Sequence, residues 1–274
     1  MSFTAACVQT TATPDLNHDI GVLSRLIREA AAQGARFVAT PEYCAGLDTR
    51  DGKLFPVAHQ EAEHPALPAM QGLARELNIW LLVGSIGVRS PDGRIFNRSY
   101  MLSPEGTIAA RYDKIHLFDI DLGGGHSYRE SATIAPGNAG VIAPCVEGAI
   151  GLSICYDIRF PMLYRAYAQA GAEMLAAPAA FTRVTGMAHW HVLQRARAIE
   201  NGAYVISPSQ GGTLSGGAEC YGHSLIIDPW GRIVAEAGDD PGVILAEIDL
   251  TQVAETRRRI PSLTHDRPFS LAKP

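Results

Sequence analysis

Short apolar runs alternate with segments of helical periodicity, and this order constrains the fold more than any other feature of the chain. Phe3–Gln9 reads as a strand. After Asn17, read as a helix cap, Ile20, Leu23, Ile27 and Ala30 recur at helical spacing until Gly34. Ala35–Thr40 is the next apolar run, and it ends in Pro41-Glu42. Two strands joined through a helix lie parallel, because a parallel pair needs a long crossover. A helix over Pro68–Leu77 and a strand over Ile79–Val88 repeat the unit. The second half resumes it, with strands at Ala149–Cys155, Glu173–Pro178 and Ala203–Pro208 and helices at Pro161–Ala170 and Gly186–Asn201.

The middle changes character. Ser90-Pro91-Asp92-Gly93 and Pro104-Glu105-Gly106 read as turns, so Ile79–Val88, Ile95–Leu102 and Thr107–Leu117 form antiparallel neighbours. Phe118–Asn138 is glycine-rich and polar and reads as a long loop, a place where function concentrates. Two hairpins are expected to close the chain. Tyr221–Asp228 pairs with Ile233–Ala237 across Pro229-Trp230-Gly231, and Val243–Asp249 follows a turn at Asp239–Gly242. The strands are nearly all apolar and the helices apolar on one face. The economical arrangement is an α/β fold of two mixed sheets packed face to face, with helices outside.

Length and charge narrow the function classes. The chain has 274 residues and shows no linker, repeat or low-complexity stretch, so one domain spanning 1–274 is the reading. A hydrophobic share of 47 % with 19 % charged residues excludes a disordered chain. A net charge of −5 and a pI near 6.0 speak against a nucleic-acid partner. Arg257-Arg258-Arg259 reads as the cationic last turn of a helix. Runs such as Ile79–Ile86 fall well short of the ~20 residues of a membrane span. The N-terminal MSFTAACVQT has no secretory pattern, and the odd set Cys7, Cys44, Cys145, Cys155 and Cys220 is no disulfide framework. The expected location is the cytoplasm.

Two reactive groups fall just past strand ends, where open α/β sheets place ligands. Glu42 closes the Ala35–Thr40 run, and Cys155 closes Ala149–Cys155 and precedes a turn and helix. The N–H groups of that turn are expected to favour thiolate; the bland alternative is a small buried hydrophobe. Lys114 is one of only three lysines, against twenty arginines, and sits in Arg111-Tyr112-Asp113-Lys114-Ile115-His116 on an expected strand. Its bland alternative is an edge-blocking lysine. Lys53 reads as a loop residue, Lys273 as a tail residue and His116 as a packed strand histidine. Cys44 is expected to line the pocket beside Glu42, with Cys7, Cys145 and Cys220 as bystanders.

Other patterns carry less. His189-Trp190-His191 has i, i+2 spacing, which points the two imidazoles to different helix faces, so no metal pair is read there. Gly123–Gly125 and Gly211-Gly212 lack a phosphate-loop context. Gly222-His223-Ser224-Leu225-Ile226 lacks the second glycine of a serine nucleophile elbow.

Three motifs occur in order: Thr40-Pro41-Glu42, Tyr112-Asp113-Lys114-Ile115-His116-Leu117 and Cys155-Tyr156-Asp157-Ile158-Arg159-Phe160-Pro161. Together they resemble the nitrilase (carbon–nitrogen hydrolase) superfamily, over Ala6-Cys7-Val8-Gln9 to Arg267-Pro268. The resemblance implies an α-β-β-α sandwich and a Glu42–Lys114–Cys155 triad, with Cys155 as nucleophile and Glu42 as general base and acid. It gives Lys114 and the Tyr156 N–H the oxyanion and gives Glu130 the orientation of Lys114 or substrate. It further implies a small-molecule amide substrate, no metal or organic cofactor, and a homodimer or higher homo-oligomer. The helix Ala188–Glu200 is similar to two branches, deaminated-glutathione amidase and omega-amidase. Tyr221-Gly222-His223-Ser224 leans to the first, while Asp119–Leu122 and Tyr128–Ser131 lean to the second. Gly123-Gly124-Gly125 departs from both and is expected to reshape the pocket mouth. Anionic substrates call for guanidinium partners, for which Arg159 and Arg183 are the expected residues. The same triad would serve an aliphatic nitrilase. The rival classes are a non-catalytic binding protein of the same fold and a metallohydrolase.

Overall fold

Strand β1 (Ser2–Gln9) turns its two faces to two different cores, and the layering follows from that. Phe3, Ala5 and Cys7 join a cluster with Ile150, Leu152 and Met174 of a second sheet. Ala6 and Val8 pack instead with Leu23, Ile27 and Met70, which lie on helices. Successive side chains of a strand point to opposite faces, so one apolar run supplies both interfaces. Helices on both outer faces complete an α-β-β-α sandwich. The structure, a computed structural model, describes residues 2–50, 53–121, 123 and 127–273.

In chain order, the first half holds α1 (Leu16–Ala32), β2 (Ala35–Ala39), β3 (Leu47–Arg50), β4 (Lys53–Pro56), β5 (Ala58–His59), α2 (Ala66–Leu77), β6 (Trp80–Arg89), β7 (Ile95–Leu102) and β8 (Ile108–Asp113). Then come β9 (Asp119–Asp121), β10 (Ser127–Arg129), β11 (Val141–Cys145), β12 (Gly148–Leu152), α3 (Pro161–Gln169), β13 (Met174–Ala176), α4 (Arg183–Asn201) and β14 (Tyr204–Ser207). The chain closes with β15 (Gly211–Thr213), β16 (Glu219–Tyr221), β17 (Leu225–Ile227), β18 (Ile233–Glu236), β19 (Gly242–Asp249) and α5 (Thr251–Arg259). One sheet runs β19-β1-β2-β6-β7-β8, and the other β11-β12-β13-β14-β17-β18. In each, three central strands are parallel and the flanking pairs are antiparallel.

Several local expectations change. Asp15, not Asn17, caps α1: its Oδ1 accepts from Asn17 N (2.9 Å) and His18 N (3.1 Å). Val243–Asp249 is no hairpin partner of Ile233–Ala237; β19 crosses to the other sheet and pairs with β1. Tyr221–Asp228 is two strands, because β16 pairs with β15 while β17 joins the main sheet. The stretch Phe118–Asn138 contains the β9–β10 hairpin. The β3–β4 hairpin and β11 are also formed. The strand expected to end at Cys155 ends at Leu152, and the one expected to carry Lys114 ends at Asp113. Gly124 and Gly125 lie outside the described residues. Arg257 and Arg259 do end α5, where Arg257 donates to Asn201 O and Ala172 O.

Candidate active site

Glu42 stands on a loop that leaves β2 and is gripped by β6. Gly84 makes the grip possible, because a Cβ there would lie 1.9 Å from Thr40 O and 2.3 Å from Pro41 O. Gly84 N donates to Thr40 Oγ1 (3.0 Å) and Ser85 N to Pro41 O (3.2 Å). Ser85 Oγ accepts from Tyr43 N (2.8 Å). The chain then turns through Tyr43 at φ +47°, a left-handed backbone that costs a non-glycine residue about 1–2 kcal/mol. The carboxylate is thereby fixed inward: Oε2 accepts from Ala180 N (2.8 Å) and Oε1 from Asn97 Nδ2 (2.7 Å).

Lys114 is the first residue past β8, and its N–H donates to Asn97 O (3.0 Å), extending the ladder by one bond. Its Nζ reaches Glu42 Oε1 at 3.0 Å and Glu130 Oε2 at 2.9 Å. Glu130 begins a short 3-10 turn after β10 and is held by Phe118 N on Oε2 (2.7 Å). Cys155 begins another such turn, Cys155–Arg159, at φ +46°. Its N–H donates to Pro178 O (2.9 Å). Asp157 ties this turn to the lysine segment: its carboxylate accepts from Ile154 N, Tyr112 OH, His116 N and His116 Nδ1 at 2.6–3.0 Å. His116 stacks on Phe160 at 3.5 Å rather than sitting in a strand.

Glu42, Lys114, Glu130 and Cys155 therefore converge on one cavity of about 230 Å³, which Tyr156 also lines. Phe118, Tyr128 and Phe181 add aromatic walls, and Lys53 with Phe55 reaches in from the β3–β4 hairpin. Burial would lower the Lys114 pKa, but the carboxylates of Glu130 and Glu42 outweigh it and hold the ammonium well above the usual lysine range. The Cys155 thiol is pushed well up, by burial first and by the Glu42 charge next, with Lys114 opposing both. The thiolate expected from the neighbouring N–H groups is thus not the resting form. The neutral thiol is.

The expected substrate cations are placed differently. Arg159 is outside the cavity lining; it pairs with His189 Nδ1 (3.2 Å) and lies over the Tyr156 and Phe181 rings. Arg183 faces Asp239 at 3.6 Å. Cys44 packs in the outer core with Val83 and Ile86 and does not line the cavity. Among the described residues, the cations that do line it beside Lys114 are Lys53, read from sequence as a loop residue, and Arg129. No motif announces Asn97, Gly84 or Gln210, whose Nε2 donates to Glu42 O (3.0 Å). Asn97 is not singled out even within its strand, where Arg98 and Ser99 follow it.

The family model for carbon-nitrogen hydrolases matches residues 4–258. The chain belongs to the carbon-nitrogen hydrolase family. A deaminated glutathione amidase of Synechocystis sp. is 40 % identical over 270 residues, covering 96 % of this chain and 97 % of that protein. The omega-amidase NIT2 of Homo sapiens is 36 % identical, covering 97 % of this chain and 95 % of that protein. The crystal structure of Saccharomyces cerevisiae Nit3, a nitrilase superfamily member, superposes with a TM-score of 0.86 at 31 % identity, over 98 % of this chain and 97 % of that one. The protein is accordingly an amide-hydrolysing enzyme of the carbon-nitrogen hydrolase family.

Proposed function

We propose that this enzyme is a thiol amidase that hydrolyses deaminated glutathione to 2-oxoglutarate and cysteinylglycine through a Cys155 thioester. One observation carries the reading: Glu42 and Glu130 share the Lys114 ammonium beside the Cys155 thiol in one cavity. Because two carboxylates hold the lysine proton, Lys114 stays a fixed cation and proton transfer falls to Glu42. The Cys155 thiol gives its proton to Glu42 as sulfur bonds to the amide carbonyl carbon. Lys114 and the Tyr156 N–H stabilise the oxyanion. Glu42 returns the proton to nitrogen as the C–N bond breaks, since an amine anion cannot leave unprotonated. Water, deprotonated by Glu42, then cleaves the thioester and the thiol is restored.

Lys53 and Arg129 at the cavity support a carboxylated substrate. The 40 % relative supports deaminated glutathione. The 36 % relative favours a second reading, omega-amidase action on 2-oxoglutaramate. A steady-state panel of deaminated glutathione, 2-oxoglutaramate, simple aliphatic amides and nitriles separates them by kcat/KM. Highest kcat/KM for deaminated glutathione supports the first reading; highest for 2-oxoglutaramate selects the second. A preference for neutral amides or nitriles overturns both. Exposed Met162 on α3 and Val184, Met187 and Val192 on α4 support a homodimer or higher homo-oligomer. A monomeric mass by light scattering contradicts it.

A further inference from the structure

Away from the four cavity groups, three potential metal ligands from three elements meet. His191 on α4 places Nε2 at 2.9 Å from Glu236 Oε1 on β18. His223, between β16 and β17, places Nδ1 at 3.0 Å from the same oxygen. The three donor atoms lie within 4.8 Å of one another. On its other side, His223 Nε2 lies 3.4 Å from Asp239 Oδ1. This imidazole thus has a carboxylate at each nitrogen. A neutral ring carries one N–H and can donate to only one of them. With the proton on Nε2 toward Asp239, the Nδ1 lone pair faces Glu236 with nothing between. A cation at Nδ1 would satisfy both groups in that tautomer, whereas the other tautomer donates Nδ1–H to Glu236.

We infer that His191, His223 and Glu236 form a binding site for one divalent cation of the zinc class, with Asp239 orienting His223 from behind. Two imidazoles and a carboxylate are a common set for zinc, leaving a fourth position for water. A carboxylate on the far nitrogen is how metal-bound histidines are held in tautomer and orientation. Side-chain exposures of 30 %, 26 % and 36 % leave a path for entry. Bond lengths of about 2.0–2.1 Å place tetrahedral donors about 3.3 Å apart, so the two histidine–Glu236 spacings open by a few tenths of an ångström while the two imidazole nitrogens, within 4.8 Å, settle to that separation. The pairing absent within His189-Trp190-His191 is supplied by tertiary structure: His191 finds His223 instead.

The site braces a wall of the cavity and takes no part in the chemistry. Tyr221 stacks on His223 at 4.4 Å, and Tyr221 N donates to Phe181 O (2.8 Å). Trp190 Nε1 donates to His223 O (2.8 Å), and its ring lies 5.1 Å from Phe181, which lines the cavity.

The test is equilibrium dialysis of the full chain against Zn²⁺, with Co²⁺ absorption as the spectroscopic probe. A Cys155→Ser background removes the cavity thiol as a competing ligand. One equivalent of Zn²⁺ per chain is expected, with Co²⁺ bands free of thiolate charge transfer. Asp239→Asn weakens binding about 10–100-fold. His191→Ala and Glu236→Gln abolish stoichiometric binding; Glu236 is exposed, so its substitution keeps the test open should His191→Ala misfold. No uptake at millimolar Zn²⁺ overturns the inference, as does uptake unchanged by both substitutions.

Discussion

Lys114 Nζ sits 3.0 Å from Glu42 Oε1 although 72 residues separate the two, and each side chain is only 2 % exposed. A buried ion pair of this kind is expensive to desolvate and poor evidence for stability. Its value here is positional. The ammonium is pinned between Glu42 and Glu130, so the proposed mechanism has a fixed positive charge for the carbonyl oxygen of the substrate.

Removing the base separates its two effects. Glu42→Gln is expected to lower kcat for amide hydrolysis by about 10²–10⁴-fold, the range for a lost general base. The same change removes a charge that raises the Cys155 pKa. Cys155 alkylation by iodoacetamide then reaches its half-maximal rate at lower pH than in the wild type. Loss of alkylation together with loss of turnover would mean the thiol has moved rather than lost its base.

Gly84 tests the placement of Glu42 from a distance. Gly84→Ala puts a methyl 1.9 Å from Thr40 O, so the loop must shift away from β6. A displacement near 1 Å costs about 10²-fold in rate. The expected outcome is that loss in kcat/KM with the far-UV circular dichroism of a folded chain, and unchanged kinetics contradict it.

The cavity cations report on substrate charge. Lys53→Ala and Arg129→Ala are each expected to raise KM for a carboxylated amide about 3- to 10-fold, as befits exposed charges. Neither should alter KM for a neutral amide, and added salt should shrink the difference. Arg183→Ala, whose partner is Asp239, should leave KM unchanged.

Much of this was legible in sequence, for physical reasons that particular residues illustrate. The turns at Ser90–Gly93 and Pro104–Gly106 located Ile95–Leu102 to the residue, because turn chemistry is local and needs no tertiary context. The three ordered motifs marked Glu42, Lys114 and Cys155, which the fold brings together. Periodicity could not locate partners across sheets: β19 pairs with β1 although β18 precedes it in the chain. Residues holding the reactive groups, such as Gly84, Asn97 and Gln210, act through close approach or one hydrogen bond, and neither leaves a pattern in sequence. Lys53 looked incidental because the β3–β4 hairpin that delivers it was not expected.

His64 gives the chain a built-in loss of stability in acid. Its ring is buried, Nδ1 accepts from Ala66 N (3.3 Å) and His59 lies 5.4 Å away. Burial, then the His59 charge, lowers its pKa from 6.5 to about 4. Between those values the unfolded chain takes up a proton that the folded one refuses. The stability is whole above pH 6.5 and falls as pH drops toward 4, by about 2 kcal/mol at pH 5. Urea midpoints at pH 7 and pH 5 check this, and His64→Gln should show that much less decline.

The acyl-enzyme itself is the most direct test. Rapid quenching of turnover with deaminated glutathione, followed by intact-mass and peptide analysis, should find a 2-oxoglutaryl thioester on the peptide carrying Cys155. Cys155→Ala should show neither adduct nor turnover. Full amide hydrolysis by Cys155→Ala, or turnover in the wild type with no acyl group on Cys155, would contradict the account.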